Sequence, residues 1–254
     1  MGAVDCMGTH NEVTKIFDVL LSHDSRKDLE IELRFGTIGG RNNFIPGVKR
    51  DYMESAIRRL QSNPTCVSTE WVEHEDYFYD LDIDGRVEQV RTRVNFDPYE
   101  LNMKRDHTIK KRLACVTLRA GALAIRIALS HEVPVAIDII PMHVNTRMVR
   151  FKQRKSFAWS RQESSTPPWS YDFSLVWEGI TRNNVDTARS SGQPCTHEFE
   201  LELDVNSDYI VRHSANYLAS SMLMKAKDFI ESPVPFSVVT PFVDCGTGTS
   251  SSRT

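Results

Sequence analysis

The sequence predicts an α+β, mainly β fold, and three observations carry that prediction. Eight short runs alternate apolar and polar residues, three stretches carry apolar residues at helical spacing, and no helical pattern interrupts the main series of alternating runs. Consecutive strands without intervening helices build a largely antiparallel sheet, either a sandwich or a closed barrel. At 254 residues, 40% hydrophobic and 26% charged, the chain can bury a sizeable core.

The elements follow in order. THNE, from Thr9 to Glu12, reads as a capping box, and Val13, Ile16, Phe17, Leu20 and Leu21 behind it share one helical face to about residue 22. LEIELRF then alternates as a strand, and DYMESAIRRLQ from Asp51 returns to helical spacing. Seven further alternating runs come next: WVEHEDYFYDL, VEQVRTRVNF, TIKKRLACVTL, LAIRIALSHEVPV, MVRFKQRKSFAW, YDFSLVW and FELELDV. DIDG (82–85), FDPYELN (96–102) and SSTPPWS (164–170) punctuate them as turns or loops. A third helix is expected from near Ser207 through Val211, Ala215, Leu218, Met222, Ala226 and Phe229 to about Ile230, with Pro233 stopping it. The expectation is a single domain over residues 1–240 and a disordered tail over 241–254, because CGTGTSSSRT has little to bury.

Charge and cysteine usage narrow the function classes. A net charge of -3 argues against sequence-independent binding to polyanions, so any basic function is local. Five scattered cysteines without a CxxC pair suit reduced thiols in an intracellular protein better than disulfides or zinc. No apolar run reaches about 18 residues, the N-terminus lacks a signal-peptide pattern, and MGAVDC matches the myristoylation pattern only in part; a soluble protein without a membrane partner is expected.

The strand faces carry the chemistry. Successive strand side chains point to opposite faces, so HEFELELD places Glu198, Glu200, Glu202 and Asp204 on one side and Phe199, Leu201 and Leu203 on the other. Glu30, Glu32 and Arg34 share a face of LEIELRF, and Arg150, Lys152 and Arg154 share a face of VRFKQRKSFAW. Arg91 pairs by parity with Arg93, Lys110 with Arg112, Arg126 with Ser130 and Glu132, and Asp172 with Ser174. A sheet with one solvated face also alternates in this way. Stacking like charges in threes, however, invites counter-ions: a cation for the acids and a polyanion for the bases. All-oxygen ligands without His or Cys suit Mg²⁺ or Mn²⁺, while Arg and Lys suit phosphate. Both sets reach one ligand only if the strands close into a barrel with a hydrophilic interior, leaving flanking helices to cover apolar faces.

These residues resemble a known family. LEIELRFGTIG and HEFELELD resemble the ExExR and ExExE glutamate strands of the metal-dependent RNA 5′-triphosphatases of the triphosphate tunnel metalloenzyme group, the mRNA-capping enzymes of fungi, protozoa and some DNA viruses. RFKQR (150–154) resembles the family's RxKxR strand, and the likeness extends more loosely to Arg91 or Arg93, Lys110, RIALSHE (126–132), and Asp172 with Ser174. The resemblance implies an eight-stranded antiparallel β-barrel, a tunnel with divalent metal, Mn²⁺ or Mg²⁺, on Glu30, Glu32 and Glu202. It implies that Glu198 and Glu200 organise the metal's waters or orient the attacking water. Arg91 or Arg93, Lys110, Arg150, Lys152 and Arg154 are implied phosphate contacts, with Glu132 and Asp172 as further site residues. Ser170 stands where relatives of the yeast type commonly carry a basic residue.

The implied activity is hydrolysis of the γ-phosphate of 5′-triphosphate RNA to a 5′-diphosphate end, in the nucleus and beside an mRNA guanylyltransferase. Two alternatives stand: a tunnel phosphatase acting on nucleoside triphosphate, thiamine triphosphate or inorganic tripolyphosphate, and a non-catalytic β-rich nucleic-acid-binding module. His74, His131 and His197, and the four tryptophans, read as ordinary surface or core residues.

Overall fold

In the computed structural model, residues 4–95, 104–136, 145–159, 168–230 and 235–245 are described. Helix α1 (Val4–Ser22) precedes strand β1 (Leu29–Ile38), a 3-10 turn at Gly40–Asn42, β2 (Phe44–Pro46), α2 (Arg50–Gln61) and β3 (Cys66–Ser68). The main strand series follows: β4 (Val72–Ile83), β5 (Arg86–Asn95), β6 (Lys104–Ala120), β7 (Leu123–Pro134), β8 (Met148–Trp159) and β9 (Trp169–Gly179). After α3 (Arg182–Ser190) come β10 (Thr196–Leu203), α4 (Asp208–Val211), α5 (Ala215–Lys227) and β11 (Ser237–Asp244). No helix among the described residues is long and apolar enough to cross a membrane.

Strands β10, β9, β8, β4, β5, β6, β7 and β1 pair in that order, and an additional β10–β1 pairing closes the ring. The result is the eight-stranded antiparallel β-barrel expected from the sequence. Strands β2, β3 and β11 pair outside the ring with β1, β8 and β6. The DIDG segment makes the β4–β5 hairpin: Asp84 (φ 54) and Gly85 (φ 76) both take the left-handed backbone that a two-residue turn of matching twist requires, and Asp82 Oδ1 accepts the Gly85 N–H at 2.8 Å. That turn fixes a register in which Asp76 faces Arg93 and Phe78 faces Arg91.

By compactness the chain divides into two units, residues 1–46, 112–131 and 201–254, and residues 47–111 and 132–200. In the first, α1 packs against α5 and β11, with Val13, Ile16, Phe17 and Leu20 fully buried. Ile31, Leu33, Ile127, Leu129 and Leu201 contribute the apolar strand faces of the same unit, all at 0% exposure. In the second, Phe173 stacks on Phe199 at 4.4 Å and meets Phe157 edge-on at 5.7 Å, while Val185 of α3 packs on Val149 and Phe151.

Several boundaries differ from expectation. Helix α1 starts at Val4, so Thr9 lies inside it; its hydroxyl donates to the Phe236 carbonyl instead of capping. The third helix is two, α4 capped by Ser207 and α5 capped by Ser214, because each serine accepts an amide of a separate helical turn. Helix α3 was not expected: its sequence RNNVDTARS buries only Val185, leaving no apolar periodicity, and the Thr181–Asn184 capping box starts it. Residues 241–244, expected in the tail, belong to β11, where Val243 and Asp244 pair with Cys115 and Ala114 of β6. Trp169 and Ser170, expected in a loop, begin β9. FDPYELN, Pro233 and residues 246–254 lie outside the described residues.

Candidate active site

Strand β10 decides between a solvated and a buried charged face. Phe199 and Leu201 on one side are 0% exposed, and Glu198 and Glu200 on the other are each 2% exposed. Both faces are buried, and the charged one needs internal compensation.

In the second unit that compensation comes from β8. Glu198 accepts hydrogen bonds from Arg150 Nη2 at 2.6 Å and Lys152 Nζ at 2.8 Å, and Lys152 is itself 3% exposed. Burial alone pushes the Glu198 carboxyl up, but Lys152 and Arg150 overcome this and hold it below the usual carboxylate range. Arg154 pairs with Asp172 at 3.2 Å and approaches Glu200 at 3.8 Å. Burial prevails at Asp172, whose carboxyl is raised even though Arg154 opposes the shift.

Strands β5, β6 and β7 supply a second group. Arg91 makes a forked contact to Glu132 at 3.1 and 3.2 Å, and Lys110 lies 3.7 Å from the same carboxylate. Arg93 instead binds Asp76 of β4 through Nε at 2.8 Å. Burial works against the Asp76 charge, yet the hydrogen bond and charge of Arg93 bring its carboxyl down to about 2. His74 lies two residues along the same face, 4% exposed; burial and then Arg93 depress it to about 3, so it is neutral. His74 is buried, one of the two roles expected for it, whereas the Asp76 partner of Arg93 was missed. Counting outward from the DIDG turn places Asp76 opposite Arg93, so the signal was available in the sequence.

In the first unit, Glu30 and Glu32 of β1 meet Glu202 of β10, with one carboxylate oxygen from each lying within 4.8 Å of the others. Arg34 Nη2 donates to Glu32 Oε2 at 2.9 Å. Two oxygens on opposite sides of a hard divalent cation sit about 4.2 Å apart, so this all-oxygen, partly buried group fits Mg²⁺ or Mn²⁺. The residues expected as metal ligands are therefore gathered. The expected basic residues each lie against a carboxylate, in separate groups: Arg91 and Lys110 on Glu132, Arg93 on Asp76, Arg150 and Lys152 on Glu198, and Arg154 on Asp172. Glu198, expected beside the metal ligands and not among them, sits on Arg150 and Lys152. Ser170 occupies β9 opposite Ala158.

Neither a protein-family model nor a curated protein sequence matches the chain. Solved structures do. The Pct1 RNA triphosphatase of S. pombe is similar over 87% of this chain and 91% of its own, at 16% identity and a TM-score of 0.62. The same enzyme in complex with the Spt5 CTD gives 15% identity and a TM-score of 0.61 over the same shares. The mimivirus capping enzyme triphosphatase is similar over 87% of this chain and 98% of its own, at 17% identity and a TM-score of 0.53. At such identities the likeness establishes a common fold.

Proposed function

We propose that the chain is a metal-dependent RNA 5′-triphosphatase of the mRNA-capping type, releasing the γ-phosphate of 5′-triphosphate RNA and leaving a 5′-diphosphate end. One observation carries the reading: a single face of β10 presents the buried Glu198 to Arg150 and Lys152 and, four residues on, the half-buried Glu202 to Glu30 and Glu32. Cations able to hold phosphate oxygens and carboxylates able to hold a hard metal are thus borne by one ribbon of backbone. The shared fold with the Pct1 and mimivirus triphosphatases supports the same reading.

Glu30, Glu32 and Glu202 hold Mn²⁺ or Mg²⁺. When bound, the cation draws charge from the phosphate oxygens and makes the phosphorus easier to attack. Arg150, Lys152 and Arg154, with Arg91, Arg93 and Lys110, orient the triphosphate and stabilise the transferring group. Glu198 fixes the Arg150 and Lys152 head groups, so it acts as a positioning residue, and Glu200 orients the water. Asp76 holds Arg93 in the same way, and Glu132 holds Arg91 and Lys110. With water positioned for direct attack on the γ-phosphate, no covalent enzyme intermediate is necessary. By this reading the enzyme works in the nucleus alongside an mRNA guanylyltransferase.

Burial of Glu198, Glu200 and Lys152 counts against a passive binding module, which leaves its charged faces in solvent. The test compares phosphate release from 5′-triphosphate RNA, ATP and tripolyphosphate, each with Mg²⁺ and with Mn²⁺. Release from RNA that requires the metal supports the reading; release from the small triphosphates alone replaces it with a small-molecule phosphatase.

A further inference from the structure

A third group of charges adjoins the carboxylate trio through Arg34 and extends beyond it. Arg34 of β1 and Arg126 of β7 are direct cross-strand partners, two arginines facing each other across an antiparallel ladder. Like charges so placed destabilise a sheet unless something compensates them. Arg112 of β6 adds a third guanidinium: burial first, then Arg112 and Arg34, bring Arg126 down to about 10. The carboxylate acting on Arg126 is Glu32, which already accepts a hydrogen bond from Arg34. Among the described residues the buried Arg126 Nε has no hydrogen-bond partner, as is true also of the Arg91 and Arg150 Nε atoms; what sets Arg126 apart is the charge around it, two guanidiniums and a carboxylate shared with Arg34. By contrast, each of Arg91, Arg93, Lys110, Arg150, Lys152 and Arg154 lies against a carboxylate.

An aromatic ring fixes this group in place. The Arg126 guanidinium lies 4.7 Å from the centre of the Phe44 ring, which the β1–β2 hairpin brings over Gly36. A Cβ on Gly36 meets the Ile45 carbonyl at 2.2 Å and Phe44 ring atoms at 2.7 Å, so the ring reaches its place only over a glycine. Beyond it the hairpin exposes Ile45 at 51%, and Arg41, also exposed, adds a positive charge. Guanidinium groups joined to aromatic and apolar surface are the equipment that holds a single nucleic-acid strand, with phosphates on the cations and bases against flat side chains.

We propose that Arg126, Arg112 and Phe44 form a site for the backbone phosphate of a polynucleotide, so that the enzyme selects a triphosphate carried on an RNA strand over a free one. The proposal deepens the RNA triphosphatase reading and rests on it for the identity of the strand. Arg34, tied to Glu32, helps to hold the positive field of the site.

The test uses a 5′-triphosphate oligoribonucleotide of about ten nucleotides and, separately, tripolyphosphate. Arg126→Gln and Arg112→Gln raise KM for the RNA about tenfold, leave kcat near its starting value, and flatten the salt dependence of log KM by about one unit each. KM for tripolyphosphate stays in place, and Arg126→Lys, which keeps charge but loses the planar stack, restores the RNA KM only in part. Equal losses on both substrates assign the arginines to the triphosphate itself and overturn the proposal, as does an unchanged KM for RNA. Arg112 is exposed, so its variant reports on binding without a folding complication. A binding arm separates the two readings: the same oligoribonucleotide ending in a 5′-hydroxyl binds the unsubstituted protein and binds both variants about tenfold more weakly. If no triphosphate is hydrolysed, the function reading fails while weaker binding by the variants upholds the strand site; undiminished binding sinks the site whatever the hydrolysis.

Discussion

Glu198 and Glu202 stand four residues apart on one face of β10 and meet different neighbours. Glu198 is held by Arg150 and Lys152, whereas Glu202 gathers with two other glutamates. The first carboxylate completes a network that the protein closes by itself. The second belongs to a trio that offers three carboxylate oxygens close enough together to hold a cation, with Arg34 bonded to one of its members. The comparison teaches that one repeated motif, acid at every second residue, supplies both a scaffold for basic side chains and a carboxylate cluster able to hold a metal, according to what each neighbouring strand brings.

The largest expected effect tests the carboxylate cluster. Glu202→Gln should lower kcat with Mn²⁺ about a thousandfold, since the metal's charge stabilisation is worth several kcal/mol. Melting of the same variant in EDTA should stay close to that of the unsubstituted protein, because glutamine keeps the size of the side chain at a half-buried position. A metal-induced rise in melting temperature, about 2.7 kcal/mol of stabilisation at a hundredfold excess over Kd, should appear before the substitution and vanish after it. Persistence of that rise in Glu202→Gln would remove the residue from the metal site.

Glu198→Ala tests the scaffold, and here stability should suffer as well as rate. Removing one partner of a buried pair typically costs about 3–5 kcal/mol, read from the denaturation midpoint in urea. Glu198→Gln, which still accepts a hydrogen bond, should cost less. Equal stability of Glu198→Ala and the unsubstituted protein would mean that Lys152 does not depend on this carboxylate.

A pH series extends the contrast to β4. His74 has its folded pKa depressed to about 3 from an ordinary 6.5. The unfolded chain therefore binds the proton first, so His74 contributes stability in full above about pH 6.5 and loses it as pH falls towards 3, by up to about 1.4 kcal/mol per pH unit. His74→Gln should flatten that part of the stability profile. An unaltered slope would show that His74 is protonated in the folded protein. The smallest effect is expected at the surface, where Glu88 and the half-exposed Lys111 lie 2.9 Å apart. Glu88→Ala should shift stability by less than about 1 kcal/mol, and a larger loss would show that pairs on the outer face matter as much as Glu198.

What could be read from the sequence was governed by parity. Alternation alone sorted Glu30, Glu32, Glu198, Glu200, Glu202, Arg150, Lys152 and Arg154 onto charged faces, and the stacking of like charges suggested that those faces turn inward. Partners are a matter of register, which alternation does not contain; hence Asp76 was missed, although the Asp84–Gly85 turn fixes its place opposite Arg93. The Arg34–Arg126 apposition depends likewise on the pairing of β1 with β7. Helix α3 escaped because a helix with one buried residue leaves no apolar stripe, and its start lies in the Thr181 cap instead. Strand β11 escaped because Pro241 interrupts its apolar run, yet register shifts in its ladder with β6 accommodate the break.

The β10–β1 pairing that closes the ring has a consequence for biosynthesis. It joins a segment near the beginning of the chain to one made about 170 residues later, a loop closure of high contact order. Until β10 leaves the ribosome, β1 and β9 each lack one neighbour and present open backbone edges to other nascent chains. A chain interrupted before Thr196 should therefore aggregate rather than persist as a shortened barrel.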